Sequence, residues 1–141
     1  MVAESHLCIA ANLENLSTIR EFVRQSASAF QIDADSVCDV LLAVDEAATN
    51  IIVHGYRGCQ GTIEIDMEYL GDSLVVRLRD EANPFDPRCV PAADVELPLE
   101  QRAPGGLGIH LMRRLVDDVG HCLTAKGGNE LTLVKKVGAV L

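Results

Sequence analysis

The sequence predicts an α+β fold, a two-layer sandwich with a mainly antiparallel sheet and helices on one face. Three observations predict it. Residues 62–70 and 73–80 alternate apolar with polar side chains on either side of Gly71-Asp72, the pattern of a half-buried antiparallel hairpin. Residues 121–125 and 130–137 read as a second hairpin joined by Lys126-Gly127-Gly128-Asn129. Three other segments carry apolar residues at helical spacing, and no repeated strand–helix alternation supports a parallel sheet.

The elements follow in order. Residues 5–10 alternate weakly, with Leu7 and Ile9 on one side, and predict a short strand. Leu13, Leu16, Ile19, Phe22 and Val23 give a helix over 13–29 with Asn12 as its cap, and Glu14, Arg20, Glu21 and Arg24 form its wet face. The central helix begins near Asp33, a good N-cap, and stops at Gly55. Its apolar face is Val37, Val40, Leu41, Val44, Ala48 and Ile51. Glu46 and Asn50 lie on a different stripe, one turn apart. A carboxylate above a carboxamide can hold a hard cation together with a water or hydroxyl; the same pair also suits a solvated polar stripe.

In the first hairpin Ile63, Ile65, Met67 and Tyr69 face one way, and Leu74, Val76 and Leu78 face inward on the return strand. Asp80 closes that strand, where it either accepts a hydrogen bond from a ligand's amino group or caps the turn before Pro84. Residues 81–106 contain five prolines and are too long for a simple connector, which points to a lid, a binding surface or disorder. Gly105-Gly106-Leu107-Gly108 then opens a helix over 107–119, ended by Gly120. Glycines at a helix N-terminus let backbone N–H groups approach an anion, and they equally suit a flexible loop exit.

Composition bounds the function. A chain of 141 residues is most simply one domain, 1–141, able to bury a core without staples. With no tryptophan, that core is built from Val, Leu, Ile and Ala. A net charge of −9 argues against nonspecific binding to nucleic acid or an anionic membrane. The five cysteines are scattered without a C-x-x-C pair, as expected of free thiols in a reducing cytoplasm. The N-terminus lacks a signal-peptide pattern and no apolar run has the length of a membrane span, so a cytoplasmic location is expected. His6, His54, His110 and His121 have no partner at metal or triad spacing and read as surface or packing residues, His54 being nearest the site's edge.

Taken together and in this order, three segments resemble the nucleotide-binding motifs of the GHKL, or Bergerat-fold, histidine-kinase-like ATPases. Glu46-Ala47-Ala48-Thr49-Asn50 with His54-Gly55-Tyr56 resembles the family's N box, and Asp80 to Pro87 its first glycine box. Gly106-Leu107-Gly108-Ile109-His110-Leu111-Met112 resembles the second. The short length, Pro84-Phe85-Asp86-Pro87 and the ending Arg114-Leu115-Val116-Asp117-Asp118-Val119 look most like the bacterial anti-sigma-factor serine/threonine kinases.

The resemblance implies ATP and Mg²⁺ as cofactors. It makes Glu46 the general base, Asn50 the Mg²⁺ ligand and Asp80 the acceptor for the exocyclic amine of adenine. Ala82 and Phe85 fall in the first box, Gly105, Gly106, Leu107 and Gly108 at the phosphates, and Arg102 beside the γ-phosphate, under a lid at about 84–105. It further implies a STAS-domain anti-anti-sigma protein as phosphoryl acceptor, a sigma factor as second partner, and a homodimer. One departure stands out: the first box usually has glycine where this chain has Ala82, whose methyl either crowds the adenine side or stiffens the backbone. Other readings of the same motifs are a partner-switching module without kinase activity, a switch kinase that binds no sigma factor, and a free-standing histidine-kinase-like ATPase domain.

Overall fold

The computed structural model describes residues 2–82 and 106–137. Alternation over the first hairpin builds β2 (Thr62–Leu70) and β3 (Ser73–Asp80), paired antiparallel as expected. β1 (Val2–Ala10) lies against β2, starting earlier than the alternation suggested, because backbone pairing continues as far as Val2 opposite Leu70. On the other side of β3 lies β5 (Asn129–Lys136), and β4 (Asp118–Leu123) forms the far edge. The sheet order is therefore β1-β2-β3-β5-β4, antiparallel throughout. Its inner face carries Ile63, Ile65, Met67, Leu74, Val76, Leu78, Leu131 and Leu133, all buried.

The outer face is charged. Arg77 pairs with Glu68 at 2.9 Å, and Arg79 with Asp66 and Glu64, each bridge joining neighbouring strands. Such partly exposed pairs add little stability each, and they keep this face polar.

Helices α1 (Leu16–Ala29), α2 (Ala34–Asn50) and α3 (Gly106–Leu115) cover the inner face. A short 3₁₀ turn, Leu13–Asn15, precedes α1, and Asn12 caps it by accepting the Asn15 N–H at 3.0 Å. Asp33 caps α2, accepting the Ser36 N–H at 3.0 Å. α2 buries Val40, Ala43, Val44, Ala47 and Ala48, a stripe shifted toward alanines, while Val37, Leu41 and Ile51 pack at its margin. Small residues there let α1 and α3 approach closely.

Two helix ends differ from the sequence reading. α2 passes at Ile51 into a π-helical turn, Ile51–Tyr56, which ends at Arg57 in the left-handed region (φ 52°). Gly55 sits inside that turn rather than stopping it. α3 ends at Leu115, not Val119, and Gly120 lies within β4. Tertiary bonds decide this. Lys135 Nζ donates to the Leu115 carbonyl at 2.9 Å, closing the helix, and the Asp117 N–H already bonds Val134 O at 2.8 Å, opening the β4–β5 pairing. Val119 fits a helical period and equally a strand alternation with His121 and Leu123.

The Ser36 N–H bond holds the Asp33 carboxyl below its ordinary range. A carboxylate whose folded pKa is lowered stabilises the fold above its unfolded pKa and loses that contribution as pH falls through the folded value. Asp33→Ala is therefore expected to lower the thermal midpoint at neutral pH, with the gap to wild type closing in acid. A gap that stays constant from pH 7 to about pH 3 would show that the charged cap contributes nothing.

Candidate active site

The π turn carries the first part of the site. By adding a residue to the last turn of the long helix it aims Tyr56 inward, and such turns inside helices are frequent at functional sites. The Tyr56 hydroxyl donates to Thr62 O at 2.7 Å and accepts the Glu81 N–H at 2.8 Å. Burial pushes this hydroxyl above its ordinary pKa, so it keeps the proton it donates. Tyr56 thereby ties the end of α2's extension to the start of β2 and to the residue after Asp80.

Asp80 is only 6% exposed. Burial pushes its carboxyl above the ordinary carboxylate range, while hydrogen bonds from Asn129 and Ala82 pull the other way. Both bonds fall on one oxygen: Oδ1 accepts Asn129 Nδ2 at 3.0 Å and the Ala82 N–H at 2.9 Å. Asn129 stands directly opposite Asp80 in the β3–β5 register. Gly128 makes that approach feasible, because a side chain there would have its Cβ 2.0 Å from the Asp80 carbonyl oxygen.

Ala82, the departure in the first glycine box, is accommodated. It is buried, and its methyl lies 3.2 Å from where a Cβ on Gly55 would stand. The missing side chain at Gly55 leaves room for the one present at Ala82. The extra methyl therefore packs against α2's extension, which joins the first two motifs in space.

On α2 itself two neighbouring carboxylates have different surroundings. Asp45 is committed to Arg20, Nε to Oδ1 at 2.7 Å. Glu46 is half-buried and has no hydrogen bond or ion pair among the described residues. One turn on, Asn50 is also half-buried, and its Nδ2 is buried without a partner. Burying an amide N–H₂ unbonded costs free energy, and an acceptor such as a phosphate oxygen or a water would satisfy it, while the carboxamide oxygen and the neighbouring Glu46 carboxylate are oxygen ligands. Glu46 and Asn50 thus fit the donor set expected for a magnesium nucleotide.

Gly106, Leu107 and Gly108 form the first turn of α3, whose leading N–H groups have no partner within the helix. Lys135 fixes the orientation of α3: besides the Leu115 carbonyl it meets Asp39 Oδ2 at 3.1 Å, so the C-terminus of α3 lies level with the first half of α2. The two helices pack together, and ten residues reach about 15 Å, nearly the span from Asp39 to Asn50. The N-terminus of α3 accordingly lies toward the Asn50 end of α2. Phe85, Arg102, Gly105 and the lid at about 84–105 fall outside the described residues.

Sequence reasoning missed two residues here. Asn129 read as part of a hairpin turn, and it is 5% exposed and bonded to Asp80. His121 read as a surface or packing residue, and its Nε2 lies 2.9 Å from Asn129 Oδ1. An asparagine following two glycines gives an ordinary turn signal, so nothing local marked it. No group of His, Cys, Asp and Glu suited to a metal ion occurs among the described residues, and Cys8, Cys38, Cys59 and Cys122 are free and exposed.

Residues 9–135 match the histidine kinase-like ATPase domain family. Over 115 residues the chain is 31% identical to serine-protein kinase RsbW of Bacillus cereus and to that of Bacillus thuringiensis subsp. konkukian, covering 79% of this chain and 72% of each relative. In three dimensions it resembles a crystal structure of the RsbU and RsbW domains of a Mycobacterium tuberculosis protein, with a TM-score of 0.68 at 18% identity. That likeness covers 97% of this chain and 34% of the longer one.

Asp80 gives this site a testable cost. A carboxyl whose folded pKa is raised is destabilised by ionisation, a cost absent below the ordinary carboxylate range and complete above the folded value. Asp80→Asn keeps an oxygen to accept both bonds and removes the charge. Its thermal midpoint is expected to equal or exceed wild type at pH 7, with the advantage vanishing toward about pH 4. A variant clearly less stable than wild type at neutral pH would contradict this account.

Proposed function

Because this chain belongs to the histidine kinase-like ATPase family and, within it, to the RsbW serine-protein kinases, we propose that it is an ATP-dependent protein kinase that phosphorylates a serine or threonine of a STAS-type anti-anti-sigma protein and binds a sigma factor. The observation that carries the reading is the pair Glu46 and Asn50, one turn apart and without partners among the described residues, while Asp45 beside them is tied to Arg20.

Each residue has a task in this reading. Asp80 accepts the exocyclic amine of adenine on its second oxygen and orients the base. The backbone amides of Gly106, Leu107 and Gly108 bind phosphate oxygens at the positive end of α3. Asn50 offers its carboxamide oxygen to Mg²⁺, which supplies charge neutralisation on the phosphates. Glu46 receives the proton of the attacking hydroxyl; that oxygen bonds to the γ-phosphorus as the bond to the β–γ bridging oxygen breaks, and ADP leaves. Phe85, in the first glycine box, and Arg102, just before the second, complete the site, Arg102 as a γ-phosphate contact. Ala82 speaks less strongly for a module without kinase activity once its methyl is seen to pack against Gly55.

Partner exchange follows from the same chemistry. Phosphorylation adds about −1.5 to −2 charges to the STAS protein and changes its affinity for the kinase, which then takes or releases the sigma factor. A homodimer in the cytoplasm is the assembly that this role implies.

Glu46→Gln keeps the shape of the site and removes its base. Phosphoryl transfer to the cognate STAS protein, followed with labelled ATP, is expected to fall by about 100-fold or more while ATP still raises the thermal midpoint. Undiminished transfer in Glu46→Gln would remove Glu46 from its role, and a wild-type chain unable to phosphorylate any cognate STAS protein would sink the kinase reading.

A further inference from the structure

The His121–Asn129–Asp80 contacts form a chain with a single allowed polarity. Asn129 Nδ2 lies 3.0 Å from Asp80 Oδ1 and 3.4 Å from the Ala82 carbonyl oxygen, and the other carboxamide atom lies 2.9 Å from His121 Nε2. With Asp80 ionised, reversing the carboxamide would set its oxygen against a carboxylate oxygen and a carbonyl oxygen, three acceptors with no proton among them. Asn129 must therefore donate to Asp80, and His121 Nε2 must donate to Asn129. That demand is met by the neutral Nε2–H tautomer and by the imidazolium alike. The arrangement is also well enclosed, since Asn129 and Asp80 are among the few buried polar residues described.

We infer that Asn129 and His121 are positioning residues that fix Asp80 as a hydrogen-bond acceptor and so set the preference of the pocket for a purine bearing a 6-amino group. This rests on the reading of the site as a nucleotide pocket. Two donors occupy Asp80 Oδ1, and Oδ2, with no hydrogen bond among the described residues, is the acceptor left to offer a ligand. An amine is matched there. A 6-keto base opposes oxygen to oxygen and is rejected. The donation from Asn129 also opposes the effect of burial and favours the ionised carboxyl. Without it, burial favours the protonated carboxyl, whose O–H can donate to a keto oxygen, and the discrimination relaxes.

The test is equilibrium binding of ATP and inosine triphosphate, which differ at the 6-position, to the full chain with Mg²⁺. Wild type, Asn129→Leu, His121→Leu and His121→Gln are compared. The ATP preference is expected to fall by about tenfold or more in Asn129→Leu and His121→Leu, and to be kept in His121→Gln, whose amide N–H replaces the imidazole donor. A purely structural role would weaken both nucleotides equally and leave the ratio alone. An unchanged ratio in either leucine variant that still binds ATP overturns the positioning role and leaves the nucleotide reading intact. Wild type binding neither nucleotide overturns the nucleotide reading and the specificity role with it. Should Asn129→Leu fail to fold, His121→Leu decides, with His121→Gln as its control.

Discussion

Burying a carboxyl and surrounding it with donors that offset the cost of its charge is the constraint around which this protein is arranged. Asp80 lies at the end of the central strand, where burial opposes its charge, and the nearby backbone and side chains supply donors that resist the opposition. The register of β3 on β5 brings Asn129 opposite it, Gly128 lets the strands come close enough, and Tyr56 holds the peptide just beyond. Altering any one of these would move the carboxylate or change its protonation. A site that must read a hydrogen-bond donor on a ligand needs such a fixed acceptor, because an acceptor free to rotate or titrate distinguishes little.

The sheet and the helices divide the remaining work. The inner face of the sheet is almost wholly aliphatic and supplies the platform, while its outer face is covered with cross-strand ion pairs and stays wet. α2 crosses the platform with its alanine-rich stripe down, which lets it lie close to α3 and leaves Glu46 and Asn50 at the side of the contact. Lys135 then links the end of α3 to α2. The charge of one lysine thus sets the direction of the helix whose other end carries the glycines. Rigid elements position the candidate catalytic pair.

The Gly55–Ala82 contact shows how a departure from a motif can be offset elsewhere. Read along the chain, an alanine in place of a glycine threatens the pocket. In the fold its methyl takes the space that Gly55 leaves empty, and its N–H and carbonyl still serve Asp80 and Asn129. Motif residues are coupled through space, so one substitution is judged by the partner across from it.

Much was legible in the sequence. Period-two alternation gave β2 and β3 to the residue, and Asn12 and Asp33 cap as their side chains require. The ordered segments around Glu46–Asn50, Asp80 and Gly106–Gly108 pointed to the family by resemblance, because each motif is a local string that can be matched along the chain. Helix ends were less legible: Val119 and Gly120 suit either period, and only the bonds from Lys135 and to Val134 assign them to a strand. Three facts belong to the tertiary structure alone. Asp45 is consumed by Arg20 while Glu46 is not, Ala82 is matched by Gly55, and Asn129 with His121 stands behind Asp80. All three depend on residues 25 to 49 positions apart. Periodicity tells which way a side chain points from its own element, but which groups it meets there is fixed by strand register and helix packing, and those are set by the whole core.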